Sequence, residues 1–245
     1  MRFRPAFVLL LGVLAATTGC VEATVGKLKV RATEEWKRSY PLAENGEVLV
    51  TTTNGFGEIE AVDGATVEVA AERVATAATE SVARELLPRI GIKEDIKPNR
   101  VSIETERISG IMIGVSYLVN YHVRVPRWAV VRARTTNGDV AVEGVTGRVV
   151  ANTTNGAISG RELSGGVEAR ATNGQVTVEL RAVGEDPIDV RTTNGHVRLT
   201  LPGDAKANVS ASCVNGTIDV AGVTLDLMGE QSRRRVRGRM NGGGT

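Results

Sequence analysis

The sequence predicts an all-β fold, namely a parallel β-solenoid with rungs of 18–21 residues and one short helix near its N-terminal end. Three observations predict it: a repeated Asn-Gly turn, alternating apolar residues on both sides of that turn, and an unusual composition. The chain has 245 residues, of which 28 are glycine and only 3% are aromatic. Such a composition suits thin, regular repeats better than a bulky globular core.

The tetrad Thr-Thr-Asn-Gly and its near copies define the repeat. Their asparagines are Asn54, Asn137, Asn155, Asn173, Asn194 and Asn215, and the last five are separated by 18, 18, 21 and 21 residues. A unit this short cannot bury a core alone, so the copies are expected to stack and share one. Stacked asparagine side chains are expected to form a hydrogen-bonded ladder, with glycine supplying the positive φ at each corner.

Apolar residues occupy fixed places relative to these asparagines. Six residues before them stand Val48, Val131, Val149, Val167, Ile188 and Val209, and three after the last five stand Val140, Ile158, Val176, Val197 and Ile218. The alternation continues with period two on both sides of the turn, which indicates half-buried strands. Because Asn-Gly is also typical of hairpins, a meander or barrel of antiparallel strands is the alternative. Parallel stacking is favoured, since the longer units keep the same inward register.

Residues 60–126 interrupt the repeat, and they are predicted to contain a short helix. The pattern predicts a strand over residues 66–74, a helix over 79–87 ended by Pro88, and strands over 101–105 and 115–125. Such a helix is expected to cap an open end or to pack on one sheet. We therefore predict one β-solenoid domain over residues 45–230, with the helical insertion at about 76–90.

The N-terminus indicates export. Arg2 and Arg4 precede an apolar run over residues 6–16 that is too short to span a bilayer, and small residues then lead to Cys20. This resembles a bacterial lipoprotein signal, so residues 1–19 are predicted to be a signal peptide and residues 20–44 a lipidated N-terminus and tether. An ordinary secretory signal is the alternative. Lipidation would attach Cys20 to a membrane of the cell envelope, the outer membrane if the source is a diderm bacterium.

The charge pattern does not indicate nucleic acid as a partner. Without residues 1–19 the chain keeps 28 basic and 28 acidic residues and is neutral. The basic cluster near the end comprises Arg233, Arg234, Arg235, Arg237 and Arg239, and residues 231–245 are predicted to be a basic tail or an incomplete rung. Cys213 has no partner once Cys20 is acylated, so no disulfide framework is expected.

Several motifs resemble a known family. The run Tyr121-His-Val-Arg-Val-Pro126, the segment Val131-Arg-Ala-Arg-Thr-Thr-Asn-Gly138, the turn Gly144-Val-Thr-Gly147 and a second Thr-Thr-Asn-Gly are similar to the bacterial putative adhesin family. The resemblance extends roughly over residues 45–245. It implies a secreted or membrane-attached β-solenoid, and it supplies no catalytic residues.

Outward-facing charges are the only candidates for chemistry. Glu168 and Asp189, each five residues before an asparagine, are expected to stack as neighbours and could serve a glycan-active enzyme as an acid–base pair. Each is followed two residues later by an arginine, however, which favours a surface charge pattern. Two carboxylates do not satisfy calcium, and two histidines without a partner cysteine give no zinc pattern. Neither a cofactor nor a metal is expected.

We therefore predict a non-catalytic, lipid-anchored envelope protein that serves as an adhesin-like binding or display surface. The first residues predicted to bind a partner are Arg134, Arg170 and Arg191, which share the position three before the asparagine. Their guanidinium groups suit carboxylates or phosphates of envelope glycans, and other surface proteins are also possible partners. The alternatives are the glycan-active enzyme and a structural module that assembles end to end.

Overall fold

The computed structural model describes residues 29–109, 113–183, 186–204, 206–221, 226–228 and 232–241. The predicted signal peptide and Cys20 lie outside these residues. Strands make up 64% of the described residues, and one short α-helix is present among them. The prediction of an all-β chain with a single short helix is confirmed.

The elements follow the chain in the order in which they are named. The first part contains β1 (Val30–Pro41), β2 (Glu47–Thr51), β3 (Gly57–Val62), β4 (Thr66–Ala77), α1 (Glu80–Leu86), a 3-10 turn (Leu87–Arg89), β5 (Ile92–Lys97), β6 (Arg100–Thr105) and β7 (Ser116–Pro126). The repeats contain β8 (Val130–Asn137), β9 (Val140–Glu143), β10 (Val149–Asn155), β11 (Ile158–Leu163), β12 (Val167–Asn173), β13 (Val176–Leu180), β14 (Ile188–Asn194), β15 (Val197–Thr200), β16 (Ala207–Asn215) and β17 (Ile218–Ala221). Two further strands follow, β18 (Asp226–Leu227) and β19 (Arg235–Met240).

The described strands form two sheets. Sheet I has nine strands in the order β1-β4-β7-β3-β9-β11-β13-β15-β17, and sheet II has ten in the order β18-β19-β16-β14-β12-β10-β8-β2-β6-β5. From β8 to β17 the chain alternates between the sheets, so that each repeat gives one strand to sheet II, turns at Asn-Gly and gives the next strand to sheet I.

Neighbouring repeats run parallel and in register. Val149 pairs with Val131 on one side and with Val167 on the other. The 21-residue units keep the same pairing, since Ile188 aligns with both Val167 and Val209. The extra residues lie between β13 and β14 and between β15 and β16. The antiparallel alternative is therefore wrong for these strands.

The core lies between the two sheets. The inward positions of the repeats are almost wholly buried, as with Val131, Val167 and Val176 at 0–2% exposure. Each fully buried residue of this size contributes about 1.5–3 kcal/mol relative to an exposed one. This contribution is why units of 18 or 21 residues depend on their neighbours.

A bulge in β11 replaces one inward side chain by another. The pairing of β11 with β13 shifts between Gly160 and Leu163, and Glu162 adopts a positive φ of 51°. A Cβ atom on Gly160 would lie 2.8 Å from Leu163 Cδ1. Leu163 therefore fills the space that an inward residue at position 160 would occupy.

Antiparallel strands flank the parallel repeats. At the N-terminal end, β4 joins β7 and β1 in sheet I, while β5 joins β6 in sheet II. At the other end, β19 joins β16 and β18. The helix α1, capped by the Thr79 side chain, contacts β1 and β4, in agreement with its predicted place on one sheet.

Two predicted boundaries differ from the structure. Residues 30–41 were expected to belong to a tether, yet they form β1, which pairs along its whole length with β4. Residues 235–240 were expected to belong to a basic tail or an incomplete rung, yet they form β19 and turn back along β16. In β19 the arginines point away from the core while Gly238 and Met240 face it. In β1 only Ala32 and Tyr40 are buried, and the strand pairs through its backbone with the edge of β4.

Candidate functional site

The Asn-Gly corners fix the positions of the strands that carry the outward side chains. Each asparagine donates from Nδ2 to Oδ1 of the asparagine in the preceding repeat, at distances of 2.6–2.8 Å. This ladder runs without a break through Asn54, Asn137, Asn155, Asn173, Asn194 and Asn215. It fixes the lateral position of one repeat on the next, and so fixes the rows of outward side chains.

All six corner glycines are required by close backbone contact, and all of them except Gly174 also have the expected positive φ. Gly156 has a φ of 150°, and a Cβ atom there would lie 2.0 Å from the carbonyl oxygen of Gly138. The same contact recurs at Gly195, where the distance to Gly174 O would be 2.1 Å. A side chain at these positions would push two repeats apart.

Inward threonines bind the carbonyl oxygens that these glycines expose. Thr153 Oγ1 donates to Gly138 O at 2.9 Å, and Thr192 Oγ1 donates to Gly174 O at 2.8 Å. Cys213 takes the equivalent place in the last repeat. Burial raises the pKa of the Cys213 thiol, so this cysteine is a core residue rather than an exposed nucleophile.

The outward face of sheet II carries a row of polar side chains that we call the basic row. Its members lie in register three residues before each asparagine, and β19 adds the last one. They are Arg134, Asn152, Arg170, Arg191, Ser212 and Arg235. The predicted binding residues Arg134, Arg170 and Arg191 therefore share one row, and Asn152 separates the first from the second. Outward threonines run beside this row at Thr136, Thr154, Thr172 and Thr193.

Two carboxylates bind part of this positive charge. Glu168 and Asp189 are direct neighbours on β12 and β14, as predicted. The Arg170 guanidinium bridges them, contacting Glu168 and lying 3.1 Å from Asp189 Oδ2. Arg191 Nε lies 2.7 Å from Asp189 Oδ1, and Arg148 lies 3.4 Å from Glu168. Both carboxylates are thus held by guanidinium groups.

Arg134 differs from the other two arginines. Its guanidinium makes no hydrogen bond or ion pair with any residue that the structure describes, because its neighbours in register are Thr51 and Asn152. Arg134, Arg170 and Arg191 line one shallow groove of about 590 Å³, together with the outward threonines. The groove is open and polar, and it offers several donors in a line.

The C-terminal strand brings further arginines to the same face. Ser212 pairs with Arg235, Ser210 with Arg237, and Asn208 with Arg239. Directly paired residues of an antiparallel pair point to the same side of the sheet, so these arginines point outward with the serines. The prediction of a basic tail or an incomplete rung did not place these arginines on this face. The alternation of arginine with Val236, Gly238 and Met240 was the signal of a strand.

The outward face of sheet I has the opposite charge. On β3, β9, β11, β13, β15 and β17 its outward residues include six acids, namely Glu58, Glu60, Glu143, Glu162, Glu179 and Asp219, and two arginines, Arg161 and Arg198. On the other side of β3, β7 adds the outward Arg124 beside Glu60. His122 Nδ1 lies 2.9 Å from Glu58 Oε2 on this face. No group of three or more metal-ligating side chains is present in the part of the chain that the structure describes.

Comparison with protein families identifies the domain. The family model described as Toastrack DUF4097 matches residues 87–243, which is more than half of the chain. The chain belongs to the Toastrack DUF4097 family. The match confirms the predicted resemblance to adhesin-like proteins. Within this Toastrack chain the matched region includes every residue of the basic row, whereas β1 to β4 precede it.

Two solved structures are similar to this Toastrack chain. One is a putative cell adhesion protein from Clostridium sporogenes, with 9% identity, a TM-score of 0.32, and coverage of 76% of this chain and 99% of that one. The other is a putative adhesin from Bacteroides fragilis, with 13% identity, a TM-score of 0.33, and coverage of 77% and 97%. A comparison with curated proteins gives no match. No helix among the described residues is long and apolar enough to cross a membrane.

Proposed function

We propose that this protein is a lipid-anchored cell-envelope protein whose β-solenoid presents a non-catalytic, adhesin-like binding surface, and that the outward face of sheet II is that surface. The observation that carries the proposal is the basic row. Strand register aligns its arginines in one open groove, and Arg134 is left without an ionic partner among the described residues.

The solenoid form of the scaffold rests on the way the chain alternates between sheets. Each repeat crosses from sheet II to sheet I at an Asn-Gly corner and returns one strand further along, always parallel to the previous repeat. A continuous coil satisfies this pairing with one shared core. A rigid coil of this kind holds outward side chains at regular intervals of about 4.8 Å.

The chemistry of the groove favours anionic groups. Guanidinium is planar and always charged, and it binds carboxylates and phosphates through two parallel hydrogen bonds. The threonine hydroxyls beside the row add donors and acceptors that suit sugar hydroxyls. We therefore propose carboxylate- or phosphate-bearing envelope glycans as the ligand class.

The enzyme alternative receives less support from the geometry. A glycosidase needs one carboxyl group free to deliver a proton and a second free to act as a base or nucleophile. The oxygens of Glu168 and Asp189 are instead engaged by Arg148, Arg170 and Arg191. End-to-end assembly is also less supported, since antiparallel strands flank the repeats at both ends of sheet II.

Binding to an acidic polysaccharide tests the proposal. We expect the full-length protein to bind polygalacturonate and not neutral dextran. The triple variant Arg134→Gln, Arg170→Gln, Arg191→Gln should lose about tenfold or more in affinity, because each bidentate pair contributes roughly 1 kcal/mol or more. The matched control removes three outward arginines of sheet I, Arg124→Gln, Arg161→Gln, Arg198→Gln. Equal affinities for the two triple variants would show that sheet II is not the binding face.

The membrane anchor needs a separate experiment. If Cys20 is the anchor, protein extracted from membranes should begin at Cys20 and carry the mass of acyl chains in intact-mass measurement. A Cys20→Ser variant should move to the soluble fraction. An unmodified N-terminus in the membrane fraction would contradict lipid anchoring and leave the binding surface unaffected.

A further inference from the structure

We infer that the ligand of this face is a linear polyanion lying along the stacking direction, and that Arg235 of the C-terminal strand binds its far end. The inference rests on the proposed function and extends it, since it assigns a role to a strand outside the repeats and a shape to the ligand. A single acidic sugar would not need β19, whereas a long acidic chain would.

The position of β19 is the first step. It pairs with the last repeat strand of sheet II, and Arg235 lies beside Ser212, the last member of the basic row within the repeats. Arg239 lies beside Asn208 and Asp226, four residues further along β19 and so about 13 Å to the side of the row. From β8 to β19 there are five strand spacings, so Arg134 and Arg235 stand about 24 Å apart along the stack.

The charge distribution is the second step. On sheet II, the outward positions of β8, β10, β12, β14, β16, β18 and β19 hold seven arginines and three acids. The arginines are Arg132, Arg134, Arg170, Arg191, Arg235, Arg237 and Arg239, and the acids are Glu168, Asp189 and Asp226. Glu168 and Asp189 lie beside the middle of the row, and Asp226 lies beside Arg239. The two ends of the row, at Arg134 and Arg235, therefore carry the charge that is least compensated.

The state of the end groups is the third step. Arg235 is exposed, and its guanidinium group has no ion-pair partner among the described residues. Arg134 has the same property at the other end. The guanidinium groups at the two ends are unpaired, whereas the charge in the centre is partly neutralised by Glu168 and Asp189. This arrangement suits a ligand that reaches both ends at once.

The shape of the row is the fourth step, and it favours a polymer over a lipid surface. The row is a single line flanked by threonine hydroxyls, and it is interrupted only by Asn152 and Ser212. A linear acidic polysaccharide can follow such a line and gain affinity with every contact, because the later contacts form within one complex. A membrane surface would gain little from alignment.

A length series of one ligand tests the inference. The full-length protein and its variants are titrated with trigalacturonate, with long polygalacturonate, and with vesicles of anionic phospholipid. In the variant Arg235→Gln, affinity for the polymer should fall about fivefold and affinity for the trimer should stay within about twofold. The control is Arg198→Gln, which removes the same charge from sheet I. Thermal melting checks that all variants fold.

The outcomes separate the inference from the proposed function. If the Arg134, Arg170, Arg191 variant loses binding to both lengths while the β19 variant binds the polymer normally, the proposed function stands and the inference is wrong. If that triple variant binds both lengths normally, both are wrong. Tighter binding to the vesicles than to the polymer would also overturn the inference, since it would identify a lipid surface as the partner.

Discussion

The outward faces of the two sheets differ in charge although they share one scaffold. From β8 to β17, sheet II turns four arginines and two acids outward, whereas sheet I turns four acids and two arginines outward. The inward positions of both sheets are alike, since they are small aliphatic residues in register. The repeat therefore fixes the core and the corners, while the outward positions vary from face to face.

This difference indicates where function resides. Inward residues are constrained by packing, and the Asn-Gly corners are constrained by the ladder and by close backbone contact. Outward residues carry no such requirement. Arginines recur on the outward face of sheet II although like charges repel one another and contribute nothing to the core, which favours a binding role.

The largest expected effect on stability comes from disrupting an Asn-Gly corner, which joins a strand of sheet II to a strand of sheet I. Gly156→Ala places a Cβ atom 2.0 Å from Gly138 O at a φ of 150°. The strain and the forced separation of two repeats should lower the free energy of unfolding by about 3 kcal/mol. Thermal or denaturant unfolding measures this, and binding should weaken along with it.

Gly57→Ala is the matched control for that variant. A Cβ atom on Gly57 meets no atom within 4 Å. Its stability should change by less than about 0.5 kcal/mol, as for substitutions away from close contacts. Similar losses for the two variants would mean that close contact at the corners is not what holds the repeats together.

A smaller effect is expected from interrupting the asparagine ladder. Asn155→Ala removes one hydrogen bond to Asn137 and one from Asn173. The unfolding free energy should fall by about 1–2 kcal/mol. Asn215 makes one ladder bond in the described residues, to Asn194, so Asn215→Ala should cost about half as much. Equal costs at both positions would show that the ladder bonds do not add.

The smallest expected effect on stability comes from neutralising the two acids beside the basic row of sheet II. Glu168→Gln with Asp189→Asn releases Arg170 and Arg191 from their ion pairs. These ion pairs are partly buried at the surface and should contribute about 1 kcal/mol, so stability should change little. Affinity for polygalacturonate should rise several-fold. Loss of a measured glycan turnover in this folded variant would instead support the enzyme alternative.

The register of the repeats could be predicted from the sequence because every repeat has the same apolar alternation and the same Asn-Gly turn. Val131, Val149 and Val167 take equivalent places, so period two and the fixed Asn-Gly turn suffice to align them. That alignment also predicts that Glu168 is a neighbour of Asp189 and that Arg134, Arg170 and Arg191 share one row. Family membership followed from the same motifs.

The flanking strands could not be predicted in the same way. β1 buries Ala32 and Tyr40 and turns mostly charged residues to solvent, so its pattern is that of a polar segment. In β19 the outward residues are all arginines, so this segment also has the pattern of a polar segment, and its alternation with Val236, Gly238 and Met240 is easily overlooked. Their pairing depends on sheet edges formed by distant parts of the chain, namely β4 and β16. Only the assembled sheets show that Arg235 continues the basic row.

The most direct test of the central claim is arginine footprinting of the wild-type protein. Phenylglyoxal modifies accessible guanidinium groups, and peptide mass spectrometry reads each one with and without polygalacturonate. The account predicts protection of Arg134, Arg191 and Arg235 on sheet II, while Arg161 and Arg198 on sheet I react as before. Equal protection of both faces, or protection of sheet I alone, would contradict it.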